Sequence, residues 1–321
     1  MNARIPVVIR SIGMLFLERG EPVNKRIPSV LEEIPAGYLE EAIHQGRVEE
    51  FSYETYDAFA YQVKRKTLHK KALVYLPASY DATKPYNVFY LMHGGGGNER
   101  TYLGNHPDFP RQFHHSYGFK NILDHAIEDG KIQPLIVVCP TYNNESDRDS
   151  WDFDRAIRLT SLFPRELMND LVPAVESHYS TYAETVTEEG LRASRDHRGF
   201  GGFSMGSVST LHVFDHCLKY FRFFLTMSGN CGNGSEQDAA VKRSGLGITD
   251  FFVFTATGTE DFAYSGFKQQ VMNMGRYYTD SFRFADTQEE GNLSYRENGG
   301  AAHDYAFANQ YIYNGLQFFW S

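Results

Sequence analysis

The chain has 321 residues, of which 42% are apolar and 22% charged, so it is long enough for one large α/β domain and is not expected to be disordered. Its formal net charge is −9 and no run of five or more Lys or Arg occurs, which excludes an electrostatic footprint for nucleic acid or an anionic membrane. No segment approaches the roughly 20 apolar residues of a membrane helix, and three widely spaced cysteines predict neither a disulfide framework nor a zinc site.

Residues 1–44 are predicted to form an N-terminal arm that packs on the following domain or on a partner, because four prolines lie among charged residues. One helical piece is predicted around Tyr38 to His44. The apolar stretch Ser11 to Leu17 is at the short limit of a signal-peptide core, and no small-x-small cleavage site follows it. The chain as written is therefore expected to be cytoplasmic, or secreted if a leader has been removed.

Residues 45–321 are predicted to form a doubly wound, mostly parallel sheet of about eight strands with helices on both faces. Continuous apolar runs bounded by turn residues are typical of strands buried on both faces. Such strands alternate with helical patterns, which favours right-handed crossovers. The predicted strands include GRVEEFSYET, KKALVYLP, NVFYLMHG, PLIVVCP, HRGFGGFS, FRFFLTMS and FFVFTATG, and the predicted helices include NILDHAIEDG, PRELMNDLVPAVESHYS and the segment from Met205 to Leu218.

The segment Gly202–Gly206 reads G-x-S-x-G and follows the apolar run Gly199 to Phe203. In a nucleophile elbow the serine lies in a strained strand-to-helix turn, where flanking glycines avoid collisions. A glycine-rich turn is the alternative, but the strand before the motif and the helix after it favour the elbow. The pattern predicts an α/β-hydrolase with Ser204 as its nucleophile.

The segment HGGGGN, from His93 to Asn98, follows the first buried strand. Hydrolases of this fold place a backbone N–H of the oxyanion hole in that loop. We expect the N–H groups of Gly95 and Met205 to bind the oxyanion and His93 to brace the turn. The loop lacks the lysine of a P-loop and the spacing of a dinucleotide-binding motif, so a phosphate-binding loop is disfavoured.

The base is predicted to be His303, since the chain order of this fold is Ser, then Asp or Glu, then His. The acid should follow the carboxyl end of a late strand, where FFVFTATGTED places Glu260 and Asp261. Asp261 is the predicted acid and Glu260 the nearest alternative. This set hydrolyses esters through an acyl-enzyme and needs no metal or organic cofactor.

Several blocks, among them VYLPASYDATKPYNVFYLMHGGGGNE, ASRDHRGFGGFSMG and FFVFTATGTEDFAY, resemble the feruloyl esterase domains of bacterial cellulosomal xylanases. Those domains belong to the first carbohydrate esterase family, with acetylxylan esterases and esterase-D-type enzymes. The resemblance runs from about Gly46 to Ser321. It implies an α/β-hydrolase fold, the same nucleophile, acid, base and oxyanion amides, and hydrolysis of hydroxycinnamate esters on arabinoxylan side chains. The expected partner is a feruloylated or acetylated oligo- or polysaccharide substrate.

The segment Asn230–Asn233 lacks the aromatic residues that the family tends to place near the acyl ring, and Asp304 stands where an aromatic residue is expected after the base. The acyl group is therefore left open between hydroxycinnamate and acetyl or another small acyl group. An inactive hydrolase-fold binding protein is a third hypothesis, which the complete catalytic set disfavours. The candidate substrate-binding residues are Trp151, Tyr264, Asn230 and Tyr305.

Overall fold

The computed structural model describes residues 25–104 and 118–321. The strands of these residues form one sheet, and in chain order they are β1 (Arg47–Tyr56), β2 (Thr67–Leu76), β3 (Asn87–Met92), β4 (Leu135–Cys139), β5 (Arg198–Phe203), β6 (Phe223–Met227), β7 (Phe252–Gly258) and β8 (Leu293–Asn298). Their spatial order is β1-β2-β4-β3-β5-β6-β7-β8. β2 runs antiparallel to both of its neighbours, and every pair from β4 to β8 is parallel.

The α-helices of the described residues are α1 (Phe119–Glu128), α2 (Phe153–Glu166), α3 (Val172–His178), α4 (Glu188–Ala193), α5 (Met205–Cys217), α6 (Ser235–Ser244), α7 (Tyr264–Tyr277) and α8 (Tyr305–Phe318). A π-helical turn, Leu167–Leu171, joins α2 to α3. Within residues 25–104 and 118–321, no helix combines the length and hydropathy that a membrane span requires.

Two hydrophobic cores lie on opposite faces of the sheet. Along β3, Val88 and Tyr90 belong to one core and Phe89 and Leu91 to the other, which is the two-residue period of a strand. Helices α2, α3, α5, α6 and α7 cover the first face, and α1 and α8 cover the second. This arrangement confirms the predicted doubly wound, mostly parallel sheet with helices on both faces.

The described part of the arm packs on the second face, where Ile27, Leu31 and Tyr38 are buried. The predicted helix around Tyr38 to His44 is wrong, because the segment has one 3₁₀ turn, Ala36–Leu39, and extended backbone follows it. That single turn buries Tyr38, while Ile43 stays exposed and offers no apolar face on which a longer helix would pack.

The predicted helix PRELMNDLVPAVESHYS begins eleven residues earlier than expected, at Phe153. Pro164 is the first residue of the predicted segment, and proline is common in the first turn of a helix. In the structure α2 begins at the Asp152 N-cap, whose side chain accepts the N–H of Arg155, and it continues through Pro164 into the π-helical turn.

The carboxyl ends of β3, β5, β7 and β8 lie at one edge of the sheet because these strands run parallel. The loops that leave this edge carry the four sequence features with predicted chemistry. They are the loop Gly94–Gly97, Ser204, Asp261 and His303.

Candidate active site

Ser204 lies in the turn between β5 and α5 with φ 59° and ψ −119°. A positive φ is costly for a residue with a side chain and persists only where the surroundings enforce it. A Cβ atom on Gly202 would lie 2.5 Å from the backbone of Gly206, and one on Gly206 would lie 2.3 Å from the carbonyl oxygen of Met92. Close backbone approach therefore requires both glycines of the motif.

A continuous chain of hydrogen bonds joins Asp261, His303 and Ser204. His303 Nδ1 lies 2.8 and 2.9 Å from the two carboxylate oxygens of Asp261, and His303 Nε2 lies 2.8 Å from Ser204 Oγ. Because an ionised carboxylate only accepts, Nδ1 carries the proton and Nε2 is free to accept the serine proton. Asp261 is 5% exposed, whereas Glu260 is exposed to solvent. The structure thus brings Asp261 to the histidine and leaves Glu260 outside.

Two aromatic rings hold the imidazole of His303. The ring of Phe203 lies 4.4 Å from it and that of Phe262 lies 4.1 Å from it, measured between ring centroids. Phe262 is 81% exposed, so its second face is open to solvent. The two rings restrict the orientation of the imidazole and form part of an apolar rim beside it.

The loop Gly94–Gly97 leaves one N–H group available. Among the residues that the structure describes, no acceptor pairs with the N–H of Gly95 or with that of Met205 in the first turn of α5. The other three N–H groups of the loop donate to acceptors in the protein, namely those of Gly94, Gly96 and Gly97. Unpaired N–H groups beside a nucleophile are the elements of an oxyanion hole.

His93 braces this loop from inside the protein. Its Nδ1 donates to the carbonyl oxygen of Gly94 at 2.7 Å, and its Nε2 accepts from the Thr141 hydroxyl at 2.8 Å. Burial lowers the pKa of His93 to about 3, so the imidazole is neutral at ordinary pH and keeps this pattern of one donor and one acceptor.

An apolar cavity of about 460 Å³ opens beside Ser204. The helices α2 and α5 supply one wall, and the segments that follow β6 and β7 supply the other. Its lining residues are Phe153, Ile157, Ser204, Met205, Val208, Ser228, Gly229, Asn230, Cys231, Phe262, Ala263 and Gly266. A second cavity of about 80 Å³ shares Ser204 and is lined by Gly94, Gly95, Phe203, His303, Asp304 and Tyr305.

The four residues predicted to bind substrate lie in different places. Asn230 lines the larger cavity, and Trp151, which is 55% exposed, lies with its ring against Gly96 of the loop. Tyr305 is buried, and its hydroxyl accepts the N–H of Gly94 at 2.9 Å, so it supports the loop. Tyr264 is not among the residues lining either cavity, and its hydroxyl accepts a hydrogen bond from Lys268 at 2.9 Å.

A pair of buried glutamines fixes one wall of the larger cavity. Gln270 clamps the backbone of Cys231, because its Oε1 accepts the Cys231 N–H and its Nε2 donates to the Cys231 carbonyl, both at 2.8 Å. Gln237 accepts a further hydrogen bond from Gln270 Nε2 and donates to Asp215. Burial raises the pKa of the Cys231 thiol to about 11, so this thiol is a poor nucleophile at neutral pH.

The comparison with protein families matches the sequence model of the Esterase family to residues 68–250, which is more than half of the chain. Over 257 residues the chain is 40% identical to endo-1,4-beta-xylanase Y of Acetivibrio thermocellus, a match that covers 78% of this chain and 22% of that protein. It is 29% identical over 164 residues to an endo-1,4-beta-xylanase/feruloyl esterase of Xylanibacter ruminicola, covering 49% of this chain and 19% of the other. The matched region therefore spans about a fifth of the length of these two relatives.

Among solved structures, a mutant of the feruloyl esterase module from Clostridium thermocellum complexed with sinapinate is 36% identical, with a TM-score of 0.77 and coverage of 92% of this chain and 95% of that one. A ferulic acid esterase of the anaerobic fungus Anaeromyces mucronatus, in complex with ferulic acid, shares the fold at 17% identity with a TM-score of 0.64, over 88% of this chain and 94% of that one. The chain therefore belongs to the Esterase family of α/β-hydrolases, together with the feruloyl esterase modules of bacterial xylanases.

Proposed function

We propose that this protein is a serine esterase that hydrolyses hydroxycinnamate esters, feruloyl and p-coumaroyl, on plant cell-wall arabinoxylan. The observation that carries the proposal is the unbroken hydrogen-bond chain from Asp261 through His303 to Ser204, placed beside an apolar cavity. Its relatives support the substrate class, since the name of one joins xylanase to feruloyl esterase and one related structure holds sinapinate.

In the first half-reaction, Ser204 Oγ attacks the ester carbonyl carbon while His303 Nε2 takes the serine proton. The tetrahedral intermediate collapses as the imidazolium gives that proton to the departing sugar oxygen, which leaves the acyl group on Ser204. Water then attacks the acyl-enzyme by the same route and releases the acid. Asp261 stabilises the imidazolium and keeps its Nδ1 proton directed at the carboxylate.

The N–H groups of Gly95 and Met205 receive the oxyanion in this proposal. Both are backbone donors, so they are already oriented before the charge develops, which is what makes such donors effective. The Met205 N–H also lies at the N-terminus of α5, where the helix dipole favours negative charge.

The acyl group occupies the larger cavity. Its volume of about 460 Å³ exceeds what an acetyl group fills, and its apolar walls suit an aromatic ring. Phe153 and Phe262 supply exposed ring faces at its rim. Asn230 is a polar residue in the same cavity, suited to the ring hydroxyl of a hydroxycinnamate.

The deciding experiment compares kcat/KM for methyl ferulate and methyl p-coumarate with the rate of acetate release from acetylated xylan. We expect the cinnamates to be cleaved with the higher kcat/KM. Undetectable cinnamate cleavage with brisk acetate release would replace the proposal with an acetylxylan esterase.

The nucleophile is tested by Ser204→Ala, which is expected to lower kcat by about 10⁶-fold, as loss of a triad serine does. The matched control is Ser209→Ala, because Ser209 is a buried serine on α5 whose hydroxyl has no partner among the described residues. The control should keep wild-type kcat. A Ser204→Ala variant with a tenth of wild-type turnover would refute the assignment.

A further inference from the structure

The carbonyl oxygen of Gly94 is held by three donors. It accepts from His93 Nδ1 at 2.7 Å, from Tyr142 Oη at 3.1 Å and from the Gly97 N–H at 3.3 Å. This oxygen belongs to the same peptide group as the N–H of Gly95. Because a trans peptide is planar, fixing the direction of the carbonyl also fixes the N–H, which points the opposite way.

The donors are held in place by their own partners. The Gly94 carbonyl oxygen can only accept, so His93 carries its proton on Nδ1, and the Thr141 hydroxyl donates to the free Nε2 while it accepts the N–H of Asn143 at 3.0 Å. The ring of Tyr142 stacks on that of His93 with 4.5 Å between centroids. Tyr142 is 2% exposed, and burial raises the pKa of its hydroxyl, which therefore remains a donor.

We infer that Tyr142 is a positioning residue for ester hydrolysis, acting through the Gly94–Gly95 peptide group to aim and polarise the Gly95 N–H. Hydrogen bonds to a carbonyl oxygen draw electron density from the amide nitrogen, and this makes the N–H a stronger donor in a buried setting. The inference rests on the proposed function, in which that N–H binds the oxyanion. Tyr142 does not contact the substrate in this scheme.

The test is Tyr142→Phe, which removes one donor and keeps the stacked ring. We expect kcat for methyl ferulate to fall about threefold to tenfold with KM unchanged, the range that loss of one hydrogen bond gives. Thr141→Val removes the hydroxyl that donates to His93 Nε2 and should act in the same direction, so it tests the positioning of the Gly94–Gly95 peptide group if Tyr142→Phe does not fold.

The matched control is Tyr90→Phe. Tyr90 is a buried tyrosine on β3, and its hydroxyl donates to Glu176 and not to the loop Gly94–Gly97. It loses a buried hydrogen bond of the same kind, so its melting temperature is expected to fall while its kcat stays at the wild-type value. If kcat fell as much for Tyr90→Phe as for Tyr142→Phe, the lower kcat of Tyr142→Phe would be explained by lost stability, and the inference would be overturned.

A tetrahedral probe separates positioning from packing. 2-Phenylethylboronic acid forms an adduct with the serine that places an oxygen in the oxyanion hole, whereas free ferulate binds without it. The Tyr142→Phe variant should lose boronate affinity in proportion to its loss of kcat and keep its ferulate affinity. Unchanged kcat or unchanged boronate affinity would overturn the inference, while a wild-type enzyme inactive on every ester would instead refute the proposed function.

Discussion

Two neighbouring glycines of the loop Gly94–Gly97 should respond very differently to substitution by alanine. A Cβ atom on Gly94 would lie 3.0 Å from Tyr305 Oη and 3.2 Å from Ser204 Cβ, closer than an ordinary contact of 3.4 Å or more. A Cβ atom on Gly95 would meet only the Ser150 carbonyl oxygen, at 3.6 Å. Gly95→Ala keeps its N–H and displaces nothing, whereas Gly94→Ala pushes on Ser204 and on Tyr305, whose hydroxyl holds the loop.

The size of the effect follows from the displacement. Relief of the contacts at Gly94 needs a shift of a few tenths of an ångström, and a misplacement of 1 Å at a reacting centre costs about 100-fold in rate. We therefore expect Gly94→Ala to lower kcat/KM for methyl ferulate by about fivefold to tenfold, and Gly95→Ala to stay within about threefold of wild type. The change in kcat/KM is measured from initial rates of the two purified variants, and the folded fraction of each is determined by circular dichroism. The reverse ranking would refute the reasoning, because it would mean that the site needs space at Gly95 and tolerates a side chain at Gly94.

Three further predictions concern the acid, the cavity wall and stability. Asp261→Asn should lower kcat by about 10⁴-fold, which is the cost of the wrong imidazole tautomer in a serine protease. Glu260→Gln should keep a kcat near that of the wild type. Steady-state rates that rank the two variants the other way would make Glu260 the acid. Gln270→Leu removes the clamp on the cavity wall and should lower kcat/KM for methyl ferulate more than for p-nitrophenyl acetate, so equal losses on both esters would contradict a role in shaping the acyl cavity. Burial raises the pKa of Asp215 from 3.8 to about 7, so the folded protein holds this proton more tightly than the unfolded chain, and stability falls as pH rises from about 4 to 7. Asp215→Asn should therefore raise the urea midpoint of unfolding at pH 8 and barely change it at pH 4. The gain in unfolding free energy at pH 8 is at most about 4 kcal/mol, and equal midpoints for the variant and the wild type at pH 8 would contradict the prediction.

The sheet could be predicted from the sequence because its central strands are buried on both faces. Such strands read as continuous apolar runs, as in NVFYLM and LIVVC, and no helical period competes with them. Helix boundaries were less predictable. The predicted segment begins at Pro164, yet α2 begins at Phe153, since the N-cap at Asp152 starts the helix and Leu159 and Phe163 pack on the sheet.

The hydrogen-bonded side chains of the site could be predicted because each follows the end of a parallel strand. The sequence analysis chose Asp261 but left Glu260 as the nearest alternative, since adjacent residues in a turn point in different directions that only the backbone path determines. The cavity walls were harder still. Tyr264 is close to Asp261 in sequence, but α7 directs its hydroxyl to Lys268, whereas Phe153 and Ile157 reach the cavity through the packing of α2 beside α5. Packing of one helix beside another leaves no local pattern in the sequence.

Ser204 and His303, the proposed nucleophile and base, lie 99 residues apart, on loops that follow β5 and β8. Contacts of this range form late in folding because the entropy of closing a long loop must be paid first. The last strand must pair with β7, and α8 must pack in the second core, before His303 reaches Ser204. During refolding, ester hydrolysis should consequently return after the far-ultraviolet signal of the helices. The return of activity therefore reports that the C-terminal half has folded, because no shorter piece of the sheet brings Ser204 and His303 together.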